Sequence, residues 1–197
     1  KELLAIADGF RESADSWRGL LRELKQRGLP QGPAAATGDG ALGFWVALAE
    51  EFPQTQPQLC WVHKTANVLE KLPSSVQGKA KAMLHDIYLA PTRHDAETAW
   101  DRFVATFTEK YPKAVGCLTA HRDELLTFYS SPAEHWQSLR STNVIESTFA
   151  TVRLRTKRTK GCGSRIATLT MVFKLVESAA TRWHRLRGYR QLPDVLS

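Results

Sequence analysis

The stretch Ala34-Ala35-Ala36-Thr37-Gly38-Asp39-Gly40 decides the fold. A short apolar run stops at Gly-Asp-Gly, which reads as a weak strand over 34–37 running into a turn. An apolar helix follows over 41–51 and stops at Phe52-Pro53, and 58–62 reads as a further strand. Upstream, 3–7 reads as a buried strand. Ser13 is placed to cap a helix reaching Lys25, with Trp17, Leu20, Leu21 and Leu24 on one face. Gly28 closes that helix and 30–33 is a loop. Strand, helix, strand, helix, strand predicts an α/β fold with a parallel sheet covered by helices.

The middle of the chain changes period. Residues 64–140 predict helices over 64–72, 75–89, 94–110, 114–118 and 122–128, punctuated by Pro73, Pro91, Pro112 and Pro132. This reads as an all-helical insertion. Thr142 or Asn143 then caps a helix running through Glu146 to about residue 158. Gly161-Cys162-Gly163 breaks it, Ser164 caps a last helix over 165–187, and Gly188 ends that one. The expected domains are 1–63, 64–140 and 141–197.

Composition narrows the function classes. The chain is 43% hydrophobic and 24% charged, which fits a soluble globular protein. No apolar run approaches the roughly 18 residues that span a bilayer. Three separated cysteines, Cys60, Cys117 and Cys162, argue against a disulfide framework and for a reducing cytoplasm. The start at Lys1, without Met and already inside an apolar run, reads as a piece of a longer protein and not as a signal peptide. Net charge is +7, yet residues 151–190 hold eleven Lys/Arg and one acid, against sixteen basic and nineteen acidic residues elsewhere. Such a local basic surface attracts polyanions, nucleic acid above all, although it also fits a solvated helical face.

Few residues could carry chemistry. Asp39 ends a strand, where open α/β sheets bind ligands, and a carboxylate there suits Mg²⁺. On spacing alone the pattern favours a Gly-Asp-Gly turn with Asp39 capping the next helix. Glu146 shares a helical face with Asn143, Ala150 and Arg153, so a metal could be held at one end of the stripe and a phosphate at the other. A solvent-facing Glu–Arg stripe is the alternative. Ile145, Phe149 and Val152 are expected to face the core. Arg153, Arg155, Lys157, Arg158 and Lys160 put five cations in eight residues, fit for phosphate contacts without sequence reading. Cys60 and His63 would point to opposite faces of a continuing strand, so they join one site only if the strand ends between them. Otherwise they are a packed thiol and a structural imidazole. Asp8 is a further loose carboxylate. Trp136 is either core or a platform for an unpaired base.

Together these motifs resemble the Mutator-type transposases of bacterial insertion sequences. The matching stretches are 9–13, 38–43 (Gly-Asp-Gly-Ala-Leu-Gly), 60–64 (Cys-Trp-Val-His-Lys), 69–73, 133–136, 142–147 (Thr-Asn-Val-Ile-Glu-Ser) and 152–161. The resemblance implies a ribonuclease-H-like catalytic core, incomplete at its N-terminus, with a large all-α insertion domain. It implies an Asp, Asp, Glu triad in which Asp39 matches the second Asp and Glu146 the Glu. No position here matches the first Asp, and Asp8 does not fill the gap, so the polypeptide alone is expected to be inactive. Cys60 and His63 match a Cys-x-x-His signature near the active site, with Asn143 in the same vicinity, and Trp136 matches a residue placed to stabilise a flipped base. The implied function is metal-dependent strand cleavage and strand transfer at insertion-sequence ends, with two Mg²⁺ or Mn²⁺ ions. Double-stranded DNA, both transposon end and target, is the implied partner. A homo-oligomer when active and a bacterial cytoplasmic, nucleoid-associated location are implied as well. The other readings are an inactive truncated transposase that binds DNA or oligomerises, a structure-selective nuclease of the same fold, and a Cys/His hydrolase.

Overall fold

The computed structural model describes residues 2–7, 13–159 and 164–193. Among them are ten α-helices and one two-stranded parallel sheet, a mixed α/β chain dominated by helix. Asp8, Lys160 and Cys162, singled out from the sequence, lie outside the described residues. The chain divides into two compact units. One comprises residues 1–34, 41–55 and 143–197, and the other 35–40 and 56–142.

The first unit holds α1 (Ala14–Gln26), α2 (Leu42–Glu51), α9 (Asn143–Thr159) and α10 (Arg165–Ala180). Ser13 caps α1 as its sequence predicts, its hydroxyl accepting from the Ser16 N–H at 3.2 Å. Helices α1 and α2 pack together. Trp17 meets Phe44 edge-on, and Arg22 and Lys25 both donate to the Glu51 carboxylate, at 2.7 and 3.0 Å. Gly28 ends α1 with φ +107°, a conformation that needs glycine.

Three expectations change in this unit. Residues 2–7 adopt no regular secondary structure. A strand needs a ladder partner for its backbone groups, and among the described residues the sheet has only two strands, neither paired with this segment. Leu3–Ile6 instead line a groove with Arg27, Leu169, Thr170 and Phe173. The last long helix stops at Ala180, not near residue 187. There the bonding tightens to three-residue spacing, Arg182 N–H to Ala179 O and Trp183 N–H to Ala180 O. On α9, Val152 is buried, but Ile145 and Phe149 are exposed.

The second unit holds β1 (Ala35–Gly38), β2 (Gln56–Leu59), α3 (Trp61–Leu69), α4 (Ser74–Tyr88), α5 (Arg93–Phe107), α6 (Pro112–Thr119), α7 (Arg122–Leu126) and α8 (Trp136–Leu139). Two 3₁₀ turns, Thr127–Ser130 and Ala133–His135, precede α8. The strands run parallel, Ala35 opposite Gln56 through Gly38 opposite Leu59. The core is formed by Trp61, Leu84, Ile87, Trp100, Phe103, Leu118, Leu125, Leu126 and Phe128, all nearly inaccessible. Gln58 is fully buried and satisfied: its amide donates to the Leu59 and Leu125 carbonyls, and its oxygen accepts from the Phe128 N–H.

The second strand falls two residues earlier than the expected 58–62, and helix begins at Trp61. The reason is visible in the burial. Trp61, Thr65 and Val68 are buried at helical spacing, so the period changes from two to 3.6 at Cys60. The Trp61 ring enters the core and its indole N–H reaches the Leu125 carbonyl at 2.8 Å.

Candidate functional site

The residues singled out from the sequence divide between the two units. Asp39, Cys60, His63 and Trp136 lie in the strand-bearing unit. Asn143, Glu146, Arg153, Arg155, Lys157 and Arg158 lie in the other.

Asp39 is exposed and follows Gly38, the last residue of β1. It is not the cap of α2, whose N-cap is Ala41, a residue with no side chain to accept a bond. At the same edge the Cys60 N–H donates to the Gly38 carbonyl at 2.8 Å, so the carboxyl ends of both strands are bonded where Asp39 and Cys60 leave them.

Cys60 is 1% exposed and stands at the N-cap of α3. The strand has ended before it, so Cys60 and His63 do not point to opposite faces. One helical turn brings His63 back to the side of α3 on which Cys60 lies. The Thr142 N–H and hydroxyl donate to the Cys60 sulfur, each at 3.3 Å. Burial pushes the thiol pKa up, but the bonds from Thr142, with the nearby His63, outweigh it, and the thiol lies below its ordinary value. Two further bonds tie down the same segment of chain: Thr37 hydroxyl to Leu139 O at 2.7 Å, and Trp61 N–H to Arg140 O at 2.9 Å. Thr37, Arg140 and Thr142 were missed as site residues. Thr142 reads in the sequence only as a helix cap, and no spacing rule links it to a cysteine 82 positions away.

Trp136 is half-buried. Its indole N–H donates to Ser131 O at 2.7 Å, and its ring meets Tyr129 and Phe128 edge-on, with centroids 4.6 and 5.8 Å away. The ring is thus fixed in place by the core while part of it stays accessible.

In the other unit Glu146 is half-buried in the first turn of α9, where the helix dipole favours a carboxylate. Asn143, Arg153, Arg155, Lys157 and Arg158 are exposed. Arg153 and Lys157 are four apart and share a stripe, and Arg155 and Arg158 are three apart on another. Lys157 and Arg158 lie in the last turn, where the dipole favours cations, so their placement also serves the helix. Among the described residues no three of His, Cys, Asp and Glu form a cluster that could hold a metal. The donors on offer are single carboxylates, oxygen ligands of the type Mg²⁺ takes together with waters.

Comparison with known proteins settles the family. Residues 1–186 match the family model described as Transposase, Mutator family. The chain is 55% identical over 183 residues to the transposase for insertion sequence element IST2 of Acidithiobacillus ferrooxidans, covering 93% of this chain and 62% of that protein. It is 57% identical over 188 residues to the transposase for insertion sequence element IS6120 of Mycolicibacterium smegmatis, covering 95% of this chain and 58% of that one. The Lactococcus lactis transposase for IS905 is 31% identical over 158 residues, 80% of this chain and 40% of that protein. The chain thus spans about three fifths of the length of the first two relatives. With the motifs around Asp39, Cys60 and Glu146 inside the matched span, the chain belongs to the Mutator family of transposases.

Proposed function

We propose that this chain forms part of a ribonuclease-H-like transposase core that cleaves and joins DNA at insertion-sequence ends, with Asp39 and Glu146 as its carboxylate metal ligands. The observation that carries this reading is the position of Asp39. It is an exposed carboxylate at the carboxyl end of a parallel strand, where α/β sheets take ligands. Glu146 supports it as an acid in the first turn of a helix whose later turns carry Arg153, Arg155, Lys157 and Arg158. Membership of a transposase family supports DNA as the substrate of this arrangement.

Asp39 and Glu146 would hold Mg²⁺ or Mn²⁺, with coordination positions left for water and phosphate oxygen. When bound, such ions favour attack on the phosphodiester and departure of the leaving oxygen. The protein's own part is positional. The arginines and lysines of α9 hold the DNA backbone, and the accessible part of Trp136 offers a surface on which an unpaired base can stack. A homo-oligomer acting on double-stranded transposon-end and target DNA belongs to the same proposal.

The test uses an intact transposase containing this segment. Asp39→Asn and Glu146→Gln are each expected to reduce Mg²⁺-dependent cleavage of transposon-end DNA by about 10²–10³-fold, judged by the size of electrostatic terms in such sites. Binding of the uncut duplex should remain. Cleavage within a fewfold of wild type in either variant would remove that residue from the site.

A further inference from the structure

The strand-bearing unit carries a second concentration of positive charge that the α9 tract does not include. Lys64, Lys71, Lys113, Cys117, Ala120 and His121 line a groove of about 550 Å³ where α3 and α6 pack together. Lys64 lies on α3, and Lys71 lies in the turn that follows its last residue, Leu69. Lys113 lies in the first turn of α6, which begins at Pro112 and has no side-chain cap. A cation there opposes the helix dipole, a placement that costs stability unless an anion sits nearby.

The charge is not neutralised internally. Among the described residues none of these three lysines forms an ion pair. Three arginines of the same unit are paired, Arg93 with Glu97, Arg102 with Asp86 and Arg122 with Asp101, whereas its exposed Lys79, Lys81 and Lys110 form no ion pair among the described residues. Lys64 is half-buried and donates to the Cys117 carbonyl at 3.1 Å, and its burial lowers its pKa from the ordinary value. Glu124 offsets part of the field, lying 3.8 Å from His121 Nδ1 and raising the Lys64 pKa. A net cationic, concave surface remains. Three of its six lining residues are lysines, point charges of the kind that bind phosphate, and several together attract a polyanion.

We propose that the groove lined by Lys64, Lys71, Lys113 and His121 binds the phosphate backbone of duplex DNA, as a contact surface additional to the basic tract of α9. This rests on the reading that the chain acts on DNA. Such contacts read no sequence.

The test is binding of a labelled short duplex of arbitrary sequence, followed by fluorescence anisotropy across a salt series. The proteins are wild type, Lys64→Gln/Lys71→Gln/Lys113→Gln, the corresponding triple Lys→Arg variant, and Arg153→Gln/Arg155→Gln/Lys157→Gln. Each lost phosphate contact lowers the slope of log K against log salt by about 0.9. The triple Gln variant is therefore expected to lose about 2–3 from the slope, with affinity reduced about tenfold or more at low salt. The Arg variant should bind as wild type does. A triple Gln variant with wild-type affinity and slope, beside a weakened α9 variant, overturns this surface and leaves the DNA reading intact. No duplex binding by the wild type overturns both. Tighter binding of single-stranded RNA of the same length also overturns the proposal. If the triple variant does not fold by circular dichroism, the exposed pair Lys71→Gln/Lys113→Gln decides, with an expected loss of about 2 from the slope.

Discussion

At Cys60 the chain passes from strand to helix, and the sulfur takes up bonds that would otherwise go unmet. It accepts from the Thr142 N–H and hydroxyl, which lie in a half-buried position. Cys60→Ala removes the acceptor and leaves those donors without it. The expected cost is about 1 kcal/mol, the low end for an unsatisfied group because Thr142 is only partly buried. Cys60→Ser keeps an acceptor and should cost less, and Thr142→Val should cost no more than Cys60→Ala. Urea unfolding of the three variants measures this, and equal loss for Ala and Ser would mean that packing, not acceptance, is what the sulfur supplies. The residue scale also shows what a sequence can and cannot reveal. Asp39 is legible because a Gly-Asp-Gly after an apolar run is a local pattern. The meeting of Cys60 with His63 depends on where the strand stops, and β2 ends one residue sooner than Cys60. The meeting of Cys60 with Thr142 depends on the path of the chain across 82 positions, which no local pattern encodes.

Elements were legible where their causes are local. Ser13 caps α1 through a bond three residues long, and Ser164 caps α10 in the same way, at 3.2 Å to the Ala167 N–H. The helices of the middle segment follow their apolar spacing to within a few residues. Residues 2–7 fail as a strand because a strand exists only with a partner, which is a tertiary property. The loop before β1 shows another tertiary demand. A Cβ at Gly32 would lie 2.4 Å from Thr55 Oγ1 and 2.6 Å from Phe52 Cβ, and Phe52 and Thr55 are both buried. Nothing in 30–33 announces this, since glycine there reads simply as a turn former. Gly32→Ala is expected to destabilise the protein by about 1–3 kcal/mol through overpacking. A thermal melt checks it: an unchanged midpoint would mean that the loop moves aside freely. Gly28→Ala serves as a comparison, because it meets no neighbours and suffers only from its positive φ.

Charge belongs to the whole molecule. The chain carries +7 near neutral pH, so every carboxylate protonated on acidification adds to an existing positive excess. Most of the acids are exposed and contribute little individually. Glu51 differs. Hydrogen bonds from Lys25 and Arg22 hold its carboxyl below its ordinary value near 4.5, and its side chain is 9% exposed. Glu50 is lowered in the same way by Arg18. A carboxyl lowered in the folded state contributes stability that is fully present above its unfolded value. That contribution is lost as pH falls through the lower folded value. The packing of α1 on α2 should therefore weaken on acidification below about pH 4.5, because the folded chain must give up these pairs while its positive charge rises. Glu51→Gln is expected to be less stable than wild type at neutral pH, and to lose stability less steeply below about pH 4.5, so the two curves converge in acid. Denaturant midpoints measured at a series of pH values test this. Parallel curves, with the variant offset by the same amount at every pH, would show that Glu51 acts through its shape and not through its charge.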